Sequence, residues 1–265
     1  MERYYRIGEV DFAVRTTSTE FCGWLDHALG KYRRRKQAPV YYSVVIGGGG
    51  EKGQLGKGFH ILYRGTSAIV RTLHLPTLAR ALIQELESLT FAERTDAIYL
   101  DAALMASNGT TAITPSSLLP YIGKLGRRVE RSGVRLPGTS HVAVDLENGR
   151  IVPIQPLLKI PTDAVERAAE LSSSNGHQPD RWFTEEPLDP DIVLTFAGSE
   201  LALQPVSRGQ ALHRLASYTV NLEKLGGAAL EGLKTFIETK RCYTLGNADA
   251  KGLLDTVSRA LGNGR

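Results

Sequence analysis

Apolar positions in the first third of the chain switch between helical spacing and short continuous runs. Phe21, Trp24, Leu25, Ala28 and Leu29 recur at helical spacing up to Tyr32, behind a Thr17-x-x-Glu20 string with the form of a capping box. The spacing predicts an early amphipathic helix. Residues 40–46 and 59–63 are instead short apolar runs rich in Val or Tyr, and read as two strands joined by a glycine-rich loop over 47–58. Pro76 suits a first helical turn, and Leu78, Leu82, Leu86 and Leu89 follow along one face of a helix of about three turns.

Further on, residues 97–100 and 111–114 are short buried segments flanking the turn Ser107-Asn108-Gly109. Residues 118–131 are helix-like, and Lys124, Arg127, Arg128 and Arg131 share one face at i, i+3, i+4 and i+7 spacing. Residues 141–145 alternate as a strand, Glu147-Asn148-Gly149 supplies a hairpin turn, and 151–154 supply the return strand. Residues 171–190 read as an exposed loop or an ordered excursion. A strand over 191–196, helices over 207–217 and 227–240, a short strand over 241–245 and a last helix carrying Leu253, Leu254, Val257 and Leu261 complete an α/β order. No internal repeat is present.

Composition narrows the classes. With 265 residues, 42% hydrophobic and 23% charged, the chain can bury a full core as one domain or two lobes, and disorder is not expected. No apolar run is long enough to span a bilayer and no apolar signal core follows Met1, so the expectation is a cytoplasmic protein without a membrane partner. Cys22 and Cys242 form neither a zinc motif nor a disulfide framework, and are expected as free, half-buried thiols. A net charge of +4 permits an acidic partner without requiring one. The run Lys31-Tyr32-Arg33-Arg34-Arg35-Lys36 reads as a solvated helix end, with a nucleic-acid contact as the weaker alternative.

Candidate chemistry is sparse. Gly48, Gly50 and Gly53 match GxGxxG, but no helical pattern opens after them, so a mobile hairpin loop is the reading. The six histidines stand singly, neither HExxH nor GxSxG occurs, and no metal site is expected. Asp101 and Asp145 could face one another at the ends of neighbouring strands and share acid/base work, or could be ordinary strand-end carboxylates. The basic face of Lys124, Arg127, Arg128 and Arg131 could hold an acidic peptide or a phosphate, or be simply solvated. Trp182 and Phe183 are candidate anchors for a partner, or plugs that tie their loop to the core.

A longer order of features carries a resemblance. Leu100-Asp-Ala-Ala103, the Asn108-Gly109 turn, Ala112-Ile-Thr-Pro115, Gly133-Val-Arg-Leu136 and the hairpin from Val142 to Pro153 follow one another as in the HPr kinase/phosphorylase family and the wider HPr-kinase-like serine kinases. Pro187, Gln204-Pro-Val-Ser207, Arg241-Cys-Tyr-Thr-Leu245 and the last helix resemble the tail of those chains. The likeness covers most of residues 97–262 and matches the first 90 only in style. It implies an α/β fold: an HPr-kinase/PEP-carboxykinase-like P-loop-type core with a mixed sheet over 96–265, and a small N-terminal α+β portion over 1–95.

The resemblance stops at the phosphate loop. A working loop needs small residues whose amides converge on a phosphate, a lysine for its oxygens and a hydroxyl for Mg²⁺. A gapless register from Gly133 puts Ile122 at the lysine and Gly123 at the hydroxyl. Sliding by two residues recovers Gly123-Lys124, but Leu125 then replaces the hydroxyl, Leu118 the first glycine, and Pro120 removes an amide donor. The family's paired aspartates become Thr139 and Ser140, and its strand histidine becomes Asp101. The resemblance therefore implies a pseudokinase-like accessory or scaffold protein without catalytic residues or cofactor. It would bind a protein or peptide through Arg127, Arg128, Arg131, Trp182 and Phe183, within a biosynthetic or regulatory system. The alternative is a divergent ATP- and Mg²⁺-dependent serine kinase, or another phosphate-handling enzyme, with Thr114, Ser116, Ser117, Gly123 and Lys124 as its anion site. Relatives tend to be hexameric, which leaves a homo-oligomer open.

Overall fold

The computed structural model describes the chain except residues 39, 48–57, 120–128, 130, 138–139, 155–156, 162, 165–166, 168–180, 183–187, 197–202, 247–249 and 263–265. It divides into two compact units, Met1–Thr90 with Pro156–Gly176 and Phe91–Gln155 with His177–Arg265. Sequence pattern puts the boundary at residue 95 and leaves the later segment with the core. The first unit claims that segment through contacts with no local signature. Trp24 Nε1 donates to the carbonyl of Ala164 at 2.6 Å, and His27 Nε2 lies 3.1 Å from Asp163 Oδ1. The Tyr32 hydroxyl donates to the carbonyl of Leu157 at 3.0 Å and accepts from the amide of Lys159 at 2.7 Å.

The first unit is one mixed sheet with helices. Its elements are β1 (Glu2–Ile7), β2 (Val10–Thr16), α1 (Thr19–Leu29), β3 (Arg33–Arg34), β4 (Val40–Val45), β5 (His60–Arg64), β6 (Ser67–Thr72) and α2 (Leu75–Ala92). The sheet runs β3-β1-β2-β4-β5-β6; β2 and β4 are parallel and the other neighbours antiparallel. Phe21, Trp24, Leu25, Leu78, Leu82 and Leu86 pack from the helices onto Tyr5, Phe12, Val14, Tyr42 and Leu62.

Local expectations shift by small, explicable amounts. Ser18, not Thr17, caps α1, because its extended backbone lets the hydroxyl accept from the amide of Phe21 at 3.1 Å. Helix α2 has 18 residues rather than about three turns; the Thr90 hydroxyl bonds the carbonyl of Glu87 and Phe91 stays buried, so the helix continues past Leu89. The basic run is a solvated helix end only at its start. Arg33 and Arg34 leave the helix to form an edge strand on β1, where exposed cations discourage pairing with another chain. Strands β4 and β5 pair as expected, and a strand rather than a helix follows the glycine-rich loop, whose Gly48, Gly50 and Gly53 lie outside the described residues. Both cysteines are free and buried rather than half-buried, since each sits on the core side of its element.

The second unit is mixed α/β. Its strands are β7 (Ile98–Leu100), β8 (Ala102–Ser107), β9 (Thr110–Pro115), β10 (Leu136–Pro137), β11 (Val142–Val144), β12 (Ile151–Val152), β13 (Arg181–Trp182), β14 (Ile192–Phe196), β15 (Gln204–Pro205) and β16 (Arg241–Leu245). The helices are α3 (Arg208–Ser217), α4 (Leu222–Leu225), α5 (Gly227–Ile237) and α6 (Ala250–Ala260). The main sheet runs β15-β16-β14-β9-β8, with β9, β14 and β16 mutually parallel and antiparallel strands at both edges. Ala211, Leu215, Leu233 and Phe236 of α3 and α5 cover one face over Leu104, Ile113 and Val193. Leu254 and Val257 of α6, with Leu118, Val129 and Leu261, cover the other over Met105, Ala112, Ile192 and Leu194. Burial on both faces explains why Ile192, Val193 and Leu194 of β14 are apolar without alternation. Asn108 (φ 49°) and Gly109 (φ 78°) make the two-residue turn between β8 and β9, where both positions need positive φ. A second sheet, β12-β11-β7, is antiparallel.

Candidate functional site

Strands β9, β14 and β16 all end at one edge of the main sheet, at Pro115, Phe196 and Leu245. In open α/β sheets the crevice outside these carboxyl ends is where ligands bind. Three groups of side chains meet there.

The first is Asp101 with Ser116. Ala102 pairs with Pro115 across the hairpin, so the residue before β8 meets the residue after β9. The amide of Ser116 donates to the carbonyl of Asp101 at 3.3 Å, and the Ser116 hydroxyl donates to the Asp101 carboxylate. Beyond Ser116 the chain turns as a short 3₁₀ segment; Leu119 donates its amide back to the carbonyl of Ser116, and Leu118 is buried. Strand alternation puts Thr114 on the same face of β9 as Ala112, and its hydroxyl is buried and has no partner among the described residues.

The second is His141. Antiparallel pairing of Leu100 with Val142 brings Asp101 and His141 to the same end of β7 and β11. His141 is 1% exposed, its ring meets the edge of Phe91 at 5.1 Å, and its Nδ1 lies 3.3 Å from Ser140 Oγ. Burial pushes the imidazole down to about 4, against the opposing pull of the Asp101 carboxylate, so it is neutral at pH 7. Asp145 sits at the far end of the same pair and caps its own turn, its Oδ1 accepting from the amides of Glu147 and Asn148 at 2.9 Å each. The facing carboxylate pair, Asp101 with Asp145, is therefore not formed, because antiparallel strands send these two residues to opposite ends.

The third group lies on α3. Asp101 donates its amide to the carbonyl of Tyr218 at 2.8 Å, and the Tyr218 hydroxyl accepts from the amide of Phe196 at 3.4 Å. One turn earlier, Arg214 Nη1 donates to Thr195 Oγ1 at 3.0 Å and to Thr244 Oγ1 at 2.6 Å. The periodicity that predicts α3 also contains this arginine, as the one cation in the inward stripe Ala211, Arg214, Leu215 and Tyr218. That interruption was the available signal.

Of the remaining sequence candidates, Ser117 is exposed beside Ser116, whereas Gly123, Lys124, Arg127, Arg128 and Phe183 lie outside the described residues. Arg131 is exposed in a helical residue, and Trp182 stands in β13, paired in parallel with Pro137 of β10. Among the described residues there is no group of three or more His, Cys, Asp or Glu side chains suited to a metal, and no helix long and apolar enough to cross a membrane. No protein-family model matches the chain, and no curated protein matches it.

Proposed function

We propose that the chain is a pseudokinase-like accessory protein on an HPr-kinase-like scaffold, which binds a protein or peptide partner in a biosynthetic or regulatory system and turns over no nucleotide. The observation that carries this reading is the closed hydrogen bonding at the end of β9. The amides of Ser116 and Leu119 are spent on the chain's own carbonyls, and the Ser116 hydroxyl is spent on Asp101. A phosphate loop works by offering such groups to the ligand. A nucleotide phosphate approaching here would meet the Asp101 carboxylate, a like charge costing on the order of 1 kcal/mol at 4 Å even in water.

The exposed guanidinium of Arg131, with Arg127 and Arg128 on the same helical face by spacing, suits an acidic stretch of the partner. The competing reading is a divergent ATP-dependent kinase, and the Thr114 hydroxyl, which has no partner among the described residues, favours it, because a buried polar group without a partner is costly unless a ligand supplies one. In that reading Ser116, Ser117, Gly123 and Lys124 would complete an anion site.

Thermal unfolding with and without millimolar Mg²⁺-ATP and Mg²⁺-ADP separates the two. The expected result is no shift with either nucleotide, together with binding of acidic peptides that Arg131→Glu weakens. A nucleotide-dependent rise in Tm that Lys124→Ala removes would replace this reading with the kinase.

A further inference from the structure

Cations in the second unit that are taken out of water generally have a carboxylate. Lys240, whose side chain is 5% exposed, pairs with Asp189, and Arg94, at 23%, pairs with Asp96. Arg214 is half-buried and has no carboxylate partner among the described residues. Its hydrogen bonds there are two, both from Nη1, to Thr195 and Thr244.

Those two bonds fix the guanidinium. Thr195 and Thr244 are directly paired across β14 and β16, and the Thr195 hydroxyl is itself held by donation to the carbonyl of Tyr243 at 3.2 Å. With both Nη1 hydrogens engaged, the donors left over are Nε–H and the two on Nη2. Nε and Nη2 form the side-on fork that matches two oxygens of one carboxylate or phosphate. Positive charge, a fixed plane and a fork with no partner among the described residues thus stand one residue short of the carboxyl ends of two parallel strands, at the edge where such sheets take ligands.

We propose that Arg214 is an oxyanion receptor, binding a phosphate or carboxylate of a ligand laid along the ends of β14 and β16. The threonine pair is part of the site because it pre-orders the side chain, so that less rotamer freedom is lost on binding. This site is independent of the fate of the β9 edge and of the choice between scaffold and kinase.

The test is an NMR titration of the full-length protein, following the arginine Nε–H signals and the backbone amides of Thr195 and Thr244. The probes are inorganic phosphate, succinate, and sodium chloride at matched ionic strength. A saturable shift with phosphate alone supports the site and assigns it to phosphorylated ligands; saturation with succinate as well supports it and assigns it to carboxylates such as those of a peptide. Arg214→Lys, which keeps the charge and loses the fork, should weaken the backbone-detected binding by about tenfold or more, and Thr244→Val by a smaller factor. If wild-type shifts only track ionic strength as chloride does, or if Arg214→Lys binds as tightly as wild type, the proposal is overturned. The wild-type titration decides the matter even where a variant does not fold.

Discussion

Asp101 shares its end of the β7–β11 pair with His141, not with Asp145. The carboxylate favours protonation of the imidazole, but burial opposes it more strongly, and the neutral ring packs against Phe91. A histidine held neutral in the native state binds fewer protons than in the unfolded chain at any pH between the two pKa values.

Stability should therefore fall as pH drops from the unfolded value near 6.5 toward about 4, with the full contribution present above 6.5. The shift corresponds to on the order of 3 kcal/mol if it is fully expressed. His60, also pushed down by burial, adds to the same window from the first unit, whereas Asp163, held low by its hydrogen bonds with His27 and Arg167, and Asp96, held low by Arg94, act only below it. Urea unfolding at pH 7 and pH 5 should show this slope, and His141→Gln should flatten it more than His60→Gln does. Equal slopes in wild type and His141→Gln would contradict the assignment.

Asn221 is 1% exposed and fully satisfied: its Oδ1 accepts from the amide of Tyr99 at 3.0 Å, and its Nδ2 donates to the carbonyls of Arg94 and Ala97 at 2.8 Å each. Truncation removes the partner of two buried backbone groups, the Tyr99 amide and the Ala97 carbonyl, and of the part-buried Arg94 carbonyl. Asn221→Ala should cost at least about 2 kcal/mol in chemical denaturation, and Asn221→Asp should not rescue it, because a carboxylate would face two carbonyls.

Two turn glycines should respond differently to the same change. A Cβ on Gly149 (φ 65°) would meet the backbone of Phe236 at 2.8 Å, whereas one on Gly109 (φ 78°) meets nothing within 4 Å. Gly109→Ala should cost about 1–2 kcal/mol, the penalty of left-handed backbone alone. Gly149→Ala should cost about 1–3 kcal/mol more, from overpacking against a helix that cannot yield. Denaturation midpoints of the two variants read the difference directly.

Trp24→Phe keeps the apolar ring and deletes one bond, leaving the carbonyl of Ala164 without its donor. The expected loss is about 1–2 kcal/mol. Hydrogen exchange should quicken at residues 157–164 and α1 while β14 and β16 keep their protection; uniform acceleration over the whole chain would argue against a local tie.

What was legible in the sequence is what local chemistry decides. The helix expected over 207–217 forms as α3, with Ser207 and Gln210 closing a capping box at its start. Residues 241–245 and the hairpin around Gly149 likewise form where their side chains and turn residues predict them. Strand β8 was harder to see, because Ala-Ala-Leu-Met-Ala-Ser has little intrinsic preference for a strand and is made one by pairing with β9 and burial. The tie from Trp24 to Ala164 spans 140 residues and leaves no periodic trace. At the candidate site, Asp101 and Ser116 could each be singled out, but their mutual bond depends on hairpin register, and the neighbour of Asp101 depends on strand direction. Arg214 was visible only as a cation in an apolar stripe, and no spacing rule connects it to Thr195 and Thr244.

The return of residues 156–176 to the first unit also sets an order of events during synthesis. By the time Thr90 has left the ribosome the sheet strands β1 to β6 and helix α1 all exist, yet the carbonyl that Trp24 needs is still more than seventy residues away. At about 5–20 residues per second that interval lasts on the order of 4–15 s. During it the nascent chain carries an indole and a tyrosine hydroxyl awaiting partners, while most of the strands around Asp101 emerge. The first unit to be translated therefore cannot be finished until most of the first segment of the second has also been made.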